Sequence, residues 1–234
     1  MKAKIIEKQK IAKGTLMVKY KVDEEFEFKA GQYFFITLPN LTYPDERGTR
    51  RHFSAVNSPN QKGILTMATR LTDSGFKKTL SELPIRTEVE VGPIAGVFTL
   101  PEDLSRPLVF ISGGIGITPF MSMLKYISEE KLPANITLIY SNRDEASTAF
   151  LKELQVLSKS IPNFKLVFTM TEDNWWRGET RKVDGELIKE YTSYLQNPYF
   201  MVVGPPPMTD AVVEELKKIG IEEQNIKVEK FTGY

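Results

Sequence analysis

The stretch "PLVFISGGIGITPFMSML" (residues 107–124) joins one apolar run to another through Gly113, Gly114 and Gly116. Leu108 to Ile111 is short, rich in β-branched residues and unbroken, the composition of a strand buried on both faces of a parallel sheet. Beyond the glycines, Thr118 is placed to cap a helix, and Pro119 stands where a first helical residue tolerates the loss of its N–H. The segment therefore predicts strand, glycine turn and helix. Such a turn lets backbone approach a ligand closely and aims the free N–H groups of a helix at it, which suits a phosphate or pyrophosphate. The pattern has the G-x-G opening of a dinucleotide motif (Gly114, Gly116), with Pro119 at the place of the third glycine. The next strand-like run, "ITLIY" (136–140), ends in Ser141, Asn142 and Arg143 rather than in an acid that would hold a ribose. On these residues alone, a dinucleotide loop and a tight turn that packs a helix on a sheet fit equally.

Working outward, the rhythm after residue 106 is strand and helix in turn. Strand candidates lie at 108–112, 136–140, 164–169, 199–203 and 225–230, with helical stretches such as "STAFLKELQVLSK" (147–159) and "MTDAVVEELKKIG" (208–220), the latter ended by Gly220. This alternation implies a doubly wound α/β domain with a parallel five-stranded sheet. Before residue 100 the pattern is different. "AKIIEKQKIA", "TLMVKYKV", "GQYFFITLP", "RRHFSAVN", "GILTMATRL" and "TEVEVGP" are short β-type runs between dense turn residues, interrupted by one helical segment, "GFKKTLSEL". They predict an antiparallel β-barrel or sandwich. The change falls in "LPEDLSRP" (100–107), so the expected domains are 1–102 and 103–234. With no free linker between them, the ligand is expected in the cleft they share.

Composition narrows the chemistry. The chain has 234 residues, 41% of them hydrophobic, enough for one large domain or two ordinary ones. Charge is balanced, 31 basic residues against 30 acidic, which gives no sign of a nucleic-acid surface or an anionic membrane as partner. No apolar run approaches the roughly 20 residues a membrane span needs, and the charged start "MKAKIIEKQKIAKG" lacks a leader's apolar core, so a cytoplasmic protein is expected. Cysteine is absent, which removes disulfides, thiolate metal sites, iron–sulfur clusters and cysteine nucleophiles together. His52, the single histidine, cannot build a multi-histidine metal centre. Redox chemistry in this chain would have to come from an organic cofactor held without covalent help from cysteine.

Three more segments carry functional chemistry. In "RRHFSAVNSP" (50–59), strand periodicity sends Arg51 and Phe53 to one face and His52 to the other. A guanidinium holds a pyrophosphate bidentately, an aromatic ring stacks on a flat heterocycle, and Ser54 adds a hydroxyl donor; an edge strand with a solvated arginine and a core phenylalanine is the competing reading. In "TDSGFKKTLSEL" (72–83), Ser74 can cap, Gly75 permits close approach, and Lys77 puts a cation at a helix N-terminus, where an anion would make sense of it. The chain ends with "VVGPPPMTDAV" and "IKVEKFTGY", a rigid proline turn at one strand tip and an aromatic tail after the last strand.

Taken together and in this order, these segments resemble the ferredoxin–NADP reductase superfamily over nearly the whole chain. The family's FAD motif of arginine, any residue, an aromatic and serine is matched by Arg51, His52, Phe53 and Ser54. Its pyrophosphate-binding helix start is similar to "SGFKKTL", its nicotinamide-nucleotide loop to "GGIGITP" and its strand-end motif to "GPPPM". The resemblance implies FAD on the barrel, with Arg51 and the backbone around Gly75, Phe76 and Lys77 on its pyrophosphate. Phe53 would stack on the isoalloxazine or cover its ribityl side, and Ser54 would reach flavin N5. Tyr33 and Thr69 fall at further FAD-contact positions. His52 belongs to the same cofactor-binding strand, with its side chain turned away from the flavin. NADPH or NADH would bind through Gly113, Gly114, Gly116, Thr118 and Pro119, with the nicotinamide beside Gly204 and Pro205 and with Arg143 placed to meet a 2′-phosphate. Glu229, Phe231 and Tyr234 would form the wall across from the flavin, and Glu229 and Ser54 would assist hydride transfer.

The match has departures. Val203 stands where many relatives carry a cysteine beside the hydride path, and Thr171 and Glu172 stand where NADP-specific relatives place serine and arginine. Trp175 and Trp176 either cover an adenine or pack on their own domain. The implied activity is an NAD(P)H-dependent flavoprotein reductase that passes electrons to a separate carrier, ferredoxin- or flavodoxin-like, or to a small acceptor. The alternative is an FAD-binding docking subunit of a larger complex that takes no hydride itself.

Overall fold

The computed structural model describes residues 1–232. In chain order it runs β1 (Lys2–Ala12), β2 (Thr15–Val22), β3 (Tyr33–Thr37), β4 (Arg50–Ser54), β5 (Ile64–Arg70), α1 (Gly75–Glu82), β6 (Glu88–Ala95), β7 (Leu108–Gly113), α2 (Ile117–Glu130), β8 (Ile136–Asn142), α3 (Leu151–Ser160), β9 (Phe164–Met170), α4 (Gly185–Thr192), β10 (Tyr199–Gly204), α5 (Pro206–Lys218) and β11 (Ile226–Lys230). The chain divides into two units, Met1–Leu100 with Thr118–Tyr126, and Pro101–Ile117 with Ile127–Tyr234.

In the first unit six strands pair in the order β4-β3-β6-β1-β2-β5, every pairing antiparallel. The free edges meet just past β4. There the Val56 N–H donates to Thr66 O at 2.8 Å, and the Thr66 N–H donates to Asn57 Oδ1 at 2.8 Å. Closing the sheet in this way removes its open edges. Strict alternation along β2 sends Leu16, Val18 and Tyr20 inward and Lys19 and Lys21 outward, and Ile5, Phe34, Ile36, Leu65, Met67 and Val91 complete the interior. Helix α1 closes the barrel with Phe76 and Leu80, both fully buried, each contributing roughly 1.5–3 kcal/mol of apolar burial. Ser74 caps α1 by accepting from the Lys77 N–H. Lys8, from β1, donates to Ser81 O and Leu83 O at its other end, where a cation complements the helix dipole. The 118–126 stretch of α2 also packs in this unit: Phe120 lies 5.8 Å from Phe98, and Ser122 Oγ donates to Asn57 O at 2.7 Å.

In the second unit the sheet is parallel, ordered β11-β10-β7-β8-β9. The strand order reverses between β7 and β10, which makes their carboxyl ends the topological switch point of a doubly wound fold. On one face Val109, Ile111, Ile139, Phe200 and Val202 pack with Leu187 and Ile188 of α4 and with Val212 and Leu216 of α5. The fold is the one the strand rhythm implied, a closed antiparallel barrel followed by a five-stranded parallel α/β sheet.

Several local details differ from the sequence expectation. A 3-10 turn over Gly114–Gly116 runs straight into α2, whose capping position is Gly116, so Thr118 does not cap but lies within the first turn with its side chain 1% exposed. Helix α3 begins at Leu151 rather than 147. Ser147 N–H and Thr148 Oγ1 close onto Asp144 as a local turn, and Phe150 takes a left-handed φ of 60°, which no helix continues through. Helix α5 begins at Pro206, so the prolines form its first turn, where a missing N–H costs nothing. Helix α4 is additional, capped by Asp184, which accepts from the Leu187 N–H at 2.8 Å.

Candidate cofactor sites

On the barrel, the period of β4 sorts its side chains as expected. Phe53 lies 6.0 Å from Phe76 between ring centroids, and the Arg51 guanidinium sits 5.2 Å over the same Phe76 ring. The opposite face gathers His52, Tyr33 and Phe35, with the His52 ring 5.2 Å from Tyr33 and the Arg50 guanidinium 4.2 Å over Phe35. Tyr33 thus groups with His52 and away from Arg51 and Phe53. Ser54 is buried opposite Tyr33 in the β3–β4 register, and Thr69 is buried on β5 beside Leu16.

Arg51 is the centre of a polar cluster that the residue pattern did not announce. Its Nη1 donates to the carbonyls of Arg47, Gly48 and Arg50, and its Nη2 meets Asp45 Oδ1 at 2.5 Å. Asp45 Oδ2 accepts from Ser74 Oγ at 2.7 Å and from the Phe76 N–H at 3.0 Å. These bonds, the Phe76 amide foremost, hold the Asp45 carboxyl well below the usual carboxylate range. Lys77 is 8% exposed, and burial, helped by the Arg47 and Arg51 cations, lowers its ammonium pKa to about 8. Three cations and one carboxylate around a helix N-terminus leave an excess of positive charge, the electrostatics of a phosphate-binding site. Gly75 is required there for close packing, since a Cβ would lie 2.2 Å from Pro44 O and 2.5 Å from Tyr43 O.

In the α/β unit, the glycines at the ends of β7 and β10 face each other across the switch point. A Cβ on Gly204 would stand 3.4 Å from Gly113 N, and one on Gly116 only 2.7 Å from Val203 O. Gly114 takes φ +54° and has open space where its Cβ would be. The Tyr140 hydroxyl donates to Gly114 O at 2.8 Å, and the Phe231 N–H donates to Gly204 O at 2.9 Å, so both glycine segments are held by neighbouring strands. Gly113, Gly114, Gly116, Gly204, Pro205 and Phe231 converge on this crevice. Thr118 and Pro119 follow it in the first turn of α2 and are buried.

Glu229 pairs in register with Val203. Its Oε2 is buried without a hydrogen-bond partner, and burial pushes the carboxyl up to about 7 against the pull of Lys227. Arg143 is exposed just past β8, and its carbonyl accepts from the Glu172 N–H at 2.8 Å, which sets an acid beside it. Trp176 packs edge-on against Phe168 at 6.2 Å, whereas Trp175 is 87% exposed. Tyr234 lies outside the described residues. Among the described residues, no cluster of side chains could hold a metal ion and no helix is long and apolar enough to cross a membrane.

A barrel that presents a basic helix start, followed by a parallel sheet with a glycine crevice at its switch point, defines a two-cofactor flavin and nicotinamide oxidoreductase. Family models agree in the same order along the chain: an oxidoreductase FAD-binding domain matches residues 2–99 and an oxidoreductase NAD-binding domain matches residues 110–214. The chain carries this oxidoreductase FAD-binding and NAD-binding domain pair in the two-domain fold of a ferredoxin NADP+ reductase, and its sequence holds no cysteine to ligate an iron–sulfur cluster. Among curated proteins it is 29% identical over 91% of its length to the uncharacterized oxidoreductase AIM33 of Saccharomyces cerevisiae, of which it spans 69%. It is 30% identical over 89% of its length to the anthranilate 1,2-dioxygenase electron transfer component of Acinetobacter baylyi, of which it spans 59%. Among solved structures it matches a ferredoxin NADP+ reductase from Neisseria gonorrhoeae with bound FAD and NADP, at TM-score 0.81 and 21% identity over 98% of both chains. The cytochrome b5 reductase domain of Ulva prolifera nitrate reductase matches at TM-score 0.83 and 21% identity, over 97% of this chain and 96% of that one.

Proposed function

We propose that the protein is an NAD(P)H-dependent flavoprotein reductase that hands electrons to a separate acceptor, a carrier protein or a small molecule. The observation that carries this reading is the pair of glycine strand ends at the switch point, Gly113–Gly116 beside Gly204, in a chain whose barrel unit separately gathers Arg47, Arg51 and Lys77 at the start of α1. The names of relatives such as the anthranilate dioxygenase electron transfer component support a separate acceptor. The absence of cysteine leaves no thiolate in this chain to hold an iron–sulfur carrier, which favours the same conclusion.

Both cradles fit their cofactors on chemical grounds. Lys77 is a cation depressed by burial and by like charge, which an added pyrophosphate would relieve. In the glycine crevice Gly116 lets the start of α2 pack closely on the end of β10, and Gly114 leaves open space where a Cβ would stand. When bound, the two cofactors supply hydride transfer between nicotinamide and flavin; the protein's part is orientation and electrostatics. Arg51 and Lys77 would neutralise the FAD pyrophosphate, Phe53 would offer its ring to the flavin, and Ser54, at the end of β4, would supply a hydrogen-bonding group. Gly113, Gly114 and Gly116 would receive the dinucleotide pyrophosphate, with Gly204 and Pro205 beside the nicotinamide. Glu229, whose buried oxygen lacks a partner, is the group available to hold the carboxamide or a proton beside it. Arg143 with its neighbour Glu172 sets the preference between NADPH and NADH.

The test is an anaerobic titration of the purified protein after incubation with FAD, separately with NADPH and with NADH, followed in the visible spectrum. Bleaching of the flavin bands by either one is the expected result. A flavin that neither reduces would leave the docking-subunit reading in its place, and a protein that takes up no FAD would refute the assignment.

Glu229 adds a pH prediction. Its folded pKa lies above the unfolded value, so the ionised form is the disfavoured one, and stability falls as pH rises from about 4.5 through 7. Stopped-flow flavin reduction is expected to show an inflection near pH 7 in the wild type, and Glu229→Gln is expected to flatten it while slowing reduction by roughly tenfold to a hundredfold. An unchanged profile in the variant would assign the inflection elsewhere.

A further inference from the structure

The donors expected to receive the FAD pyrophosphate are already engaged by the chain itself. Arg51 Nη2 and the Phe76 N–H both end on the Asp45 carboxylate, and Ser74 Oγ donates to it as well. The remaining Arg51 Nη1 bonds go to carbonyls of Arg47, Gly48 and Arg50, in and beside the same β3–β4 turn. Asp45 therefore does what an anion does at this place: it sits at the N-terminus of an eight-residue helix, against a guanidinium, with its side chain 8% exposed. We propose that Asp45 is an internal stand-in for the cofactor's pyrophosphate, and that FAD binds by exchange, the Pro44–Gly48 turn withdrawing the carboxylate as the pyrophosphate takes its donors.

The proposal rests on the FAD reading of the barrel and adds how that site is regulated. A buried arginine and lysine without any anion would be costly in the cofactor-free protein, and a tethered carboxylate offsets that cost. Asp45 keeps its charge throughout the ordinary pH range, because hydrogen bonds from the Phe76 N–H, Ser74 Oγ and its own turn's Arg47 N–H, together with the guanidinium, favour the ionised form. The same carboxylate repels a pyrophosphate brought to those donors, so the two anions are alternatives rather than neighbours. At the far end of the turn Gly48 has φ +70° with nothing within 4 Å of where a Cβ would stand, and within Pro44–Gly48 the bonds to the barrel are those of Asp45 and Arg51, while the Thr42 and Tyr43 N–H groups, on Thr79 Oγ1, hold the near end in place. Lys77, on α1, stays behind to hold the incoming anion.

The experiment compares wild type, Asp45→Asn and Asp45→Ala after removal of flavin. FAD and riboflavin binding are followed by quenching of flavin fluorescence, and inorganic pyrophosphate is tested by its effect on the melting temperature. Both variants are expected to bind FAD about tenfold or more tightly than wild type, through a faster on-rate, with riboflavin affinity unchanged because riboflavin carries no pyrophosphate. Pyrophosphate is expected to raise the melting temperature of the variants at concentrations that leave the wild type unmoved. Weaker or equal FAD binding in both variants would overturn the proposal and make Asp45 a support for Arg51. If Asp45→Ala does not fold, Asp45→Asn, which keeps an acceptor for the Phe76 N–H, decides. If the wild type takes up no FAD at all, the cofactor reading fails by itself, and the pyrophosphate measurement still decides whether Asp45 occupies an anion site.

Discussion

Arg51→Ala is expected to cost the protein its FAD, raising the dissociation constant by at least about a hundredfold, the scale of removing one partner of a buried, hydrogen-bonded charge pair. Two losses combine. The guanidinium is the planar fork that meets Asp45, and its Nη1 also gathers the carbonyls of Arg47, Gly48 and Arg50, so the turn loses its anchor with the charge. Asp45 is then left buried without its cation, a situation that costs roughly 3–5 kcal/mol. Because the Arg51 and Asp45 side chains are 10% and 8% exposed, solvent screens the pair little, and the melting temperature of the flavin-free protein is expected to fall by several degrees. The double variant Arg51→Ala/Asp45→Asn separates the two effects. Removing the orphaned charge restores most of the melting temperature, while FAD binding stays lost, since nothing replaces the fork. Arg51→Lys keeps a charge without the bidentate geometry and falls between. Calorimetric melting beside flavin fluorescence titration reads both quantities. Full FAD affinity in Arg51→Ala would remove Arg51 from the cofactor site.

Both folds were legible in the sequence because each writes its period there. The two-residue alternation of "TLMVKYKV" and the strand-and-helix rhythm after residue 106 come from burial of one or both faces, which side-chain type records directly. The separation of Arg51 and Phe53 from His52 follows from the same period. What escaped are features set by contacts distant along the chain. Asp45 reads as a turn residue in "YPDERG", and nothing local tells that its carboxylate will reach Ser74 and Phe76, 29 and 31 residues on. Tyr33 sits beside His52 through the β3–β4 register, a grouping that its own segment does not announce. Thr118 carried a capping residue's chemistry, but Gly114–Gly116 had already started the turn, so the cap was not needed. Helix α4 is eight residues long and starts on a glycine, too short for periodicity to stand out; its one local signal is the Asp184 cap.

Gly116→Ala is expected to abolish reduction by NAD(P)H at ordinary concentrations while the protein remains yellow, and the reason lies in which atoms the new methyl would meet. They are Val203 O at 2.7 Å, Val203 C at 2.9 Å and Gly204 Cα at 3.0 Å, all backbone, so no rotamer change relieves the overlap. The chain must instead part the start of α2 from the end of β10, which opens the switch-point crevice whose shape the dinucleotide needs. A 1 Å displacement there is enough to lower reduction by about a hundredfold. Gly114→Ala is the contrasting case. Its Cβ meets nothing within 4 Å, so the cost is the left-handed backbone, roughly 1–2 kcal/mol, and not a clash. If open space at Gly114 is where the pyrophosphate lies, that variant too loses NAD(P)H affinity, now with the β7–β10 packing intact. The pair therefore distinguishes a glycine kept for packing from one kept for the ligand. Stopped-flow reduction across a range of NADPH and NADH concentrations, beside thermal melting, gives the answer. Gly116→Ala should lose both melting temperature and reduction rate, and Gly114→Ala mainly the apparent affinity. Unimpaired reduction in both would place the dinucleotide away from the β7 and β10 strand ends.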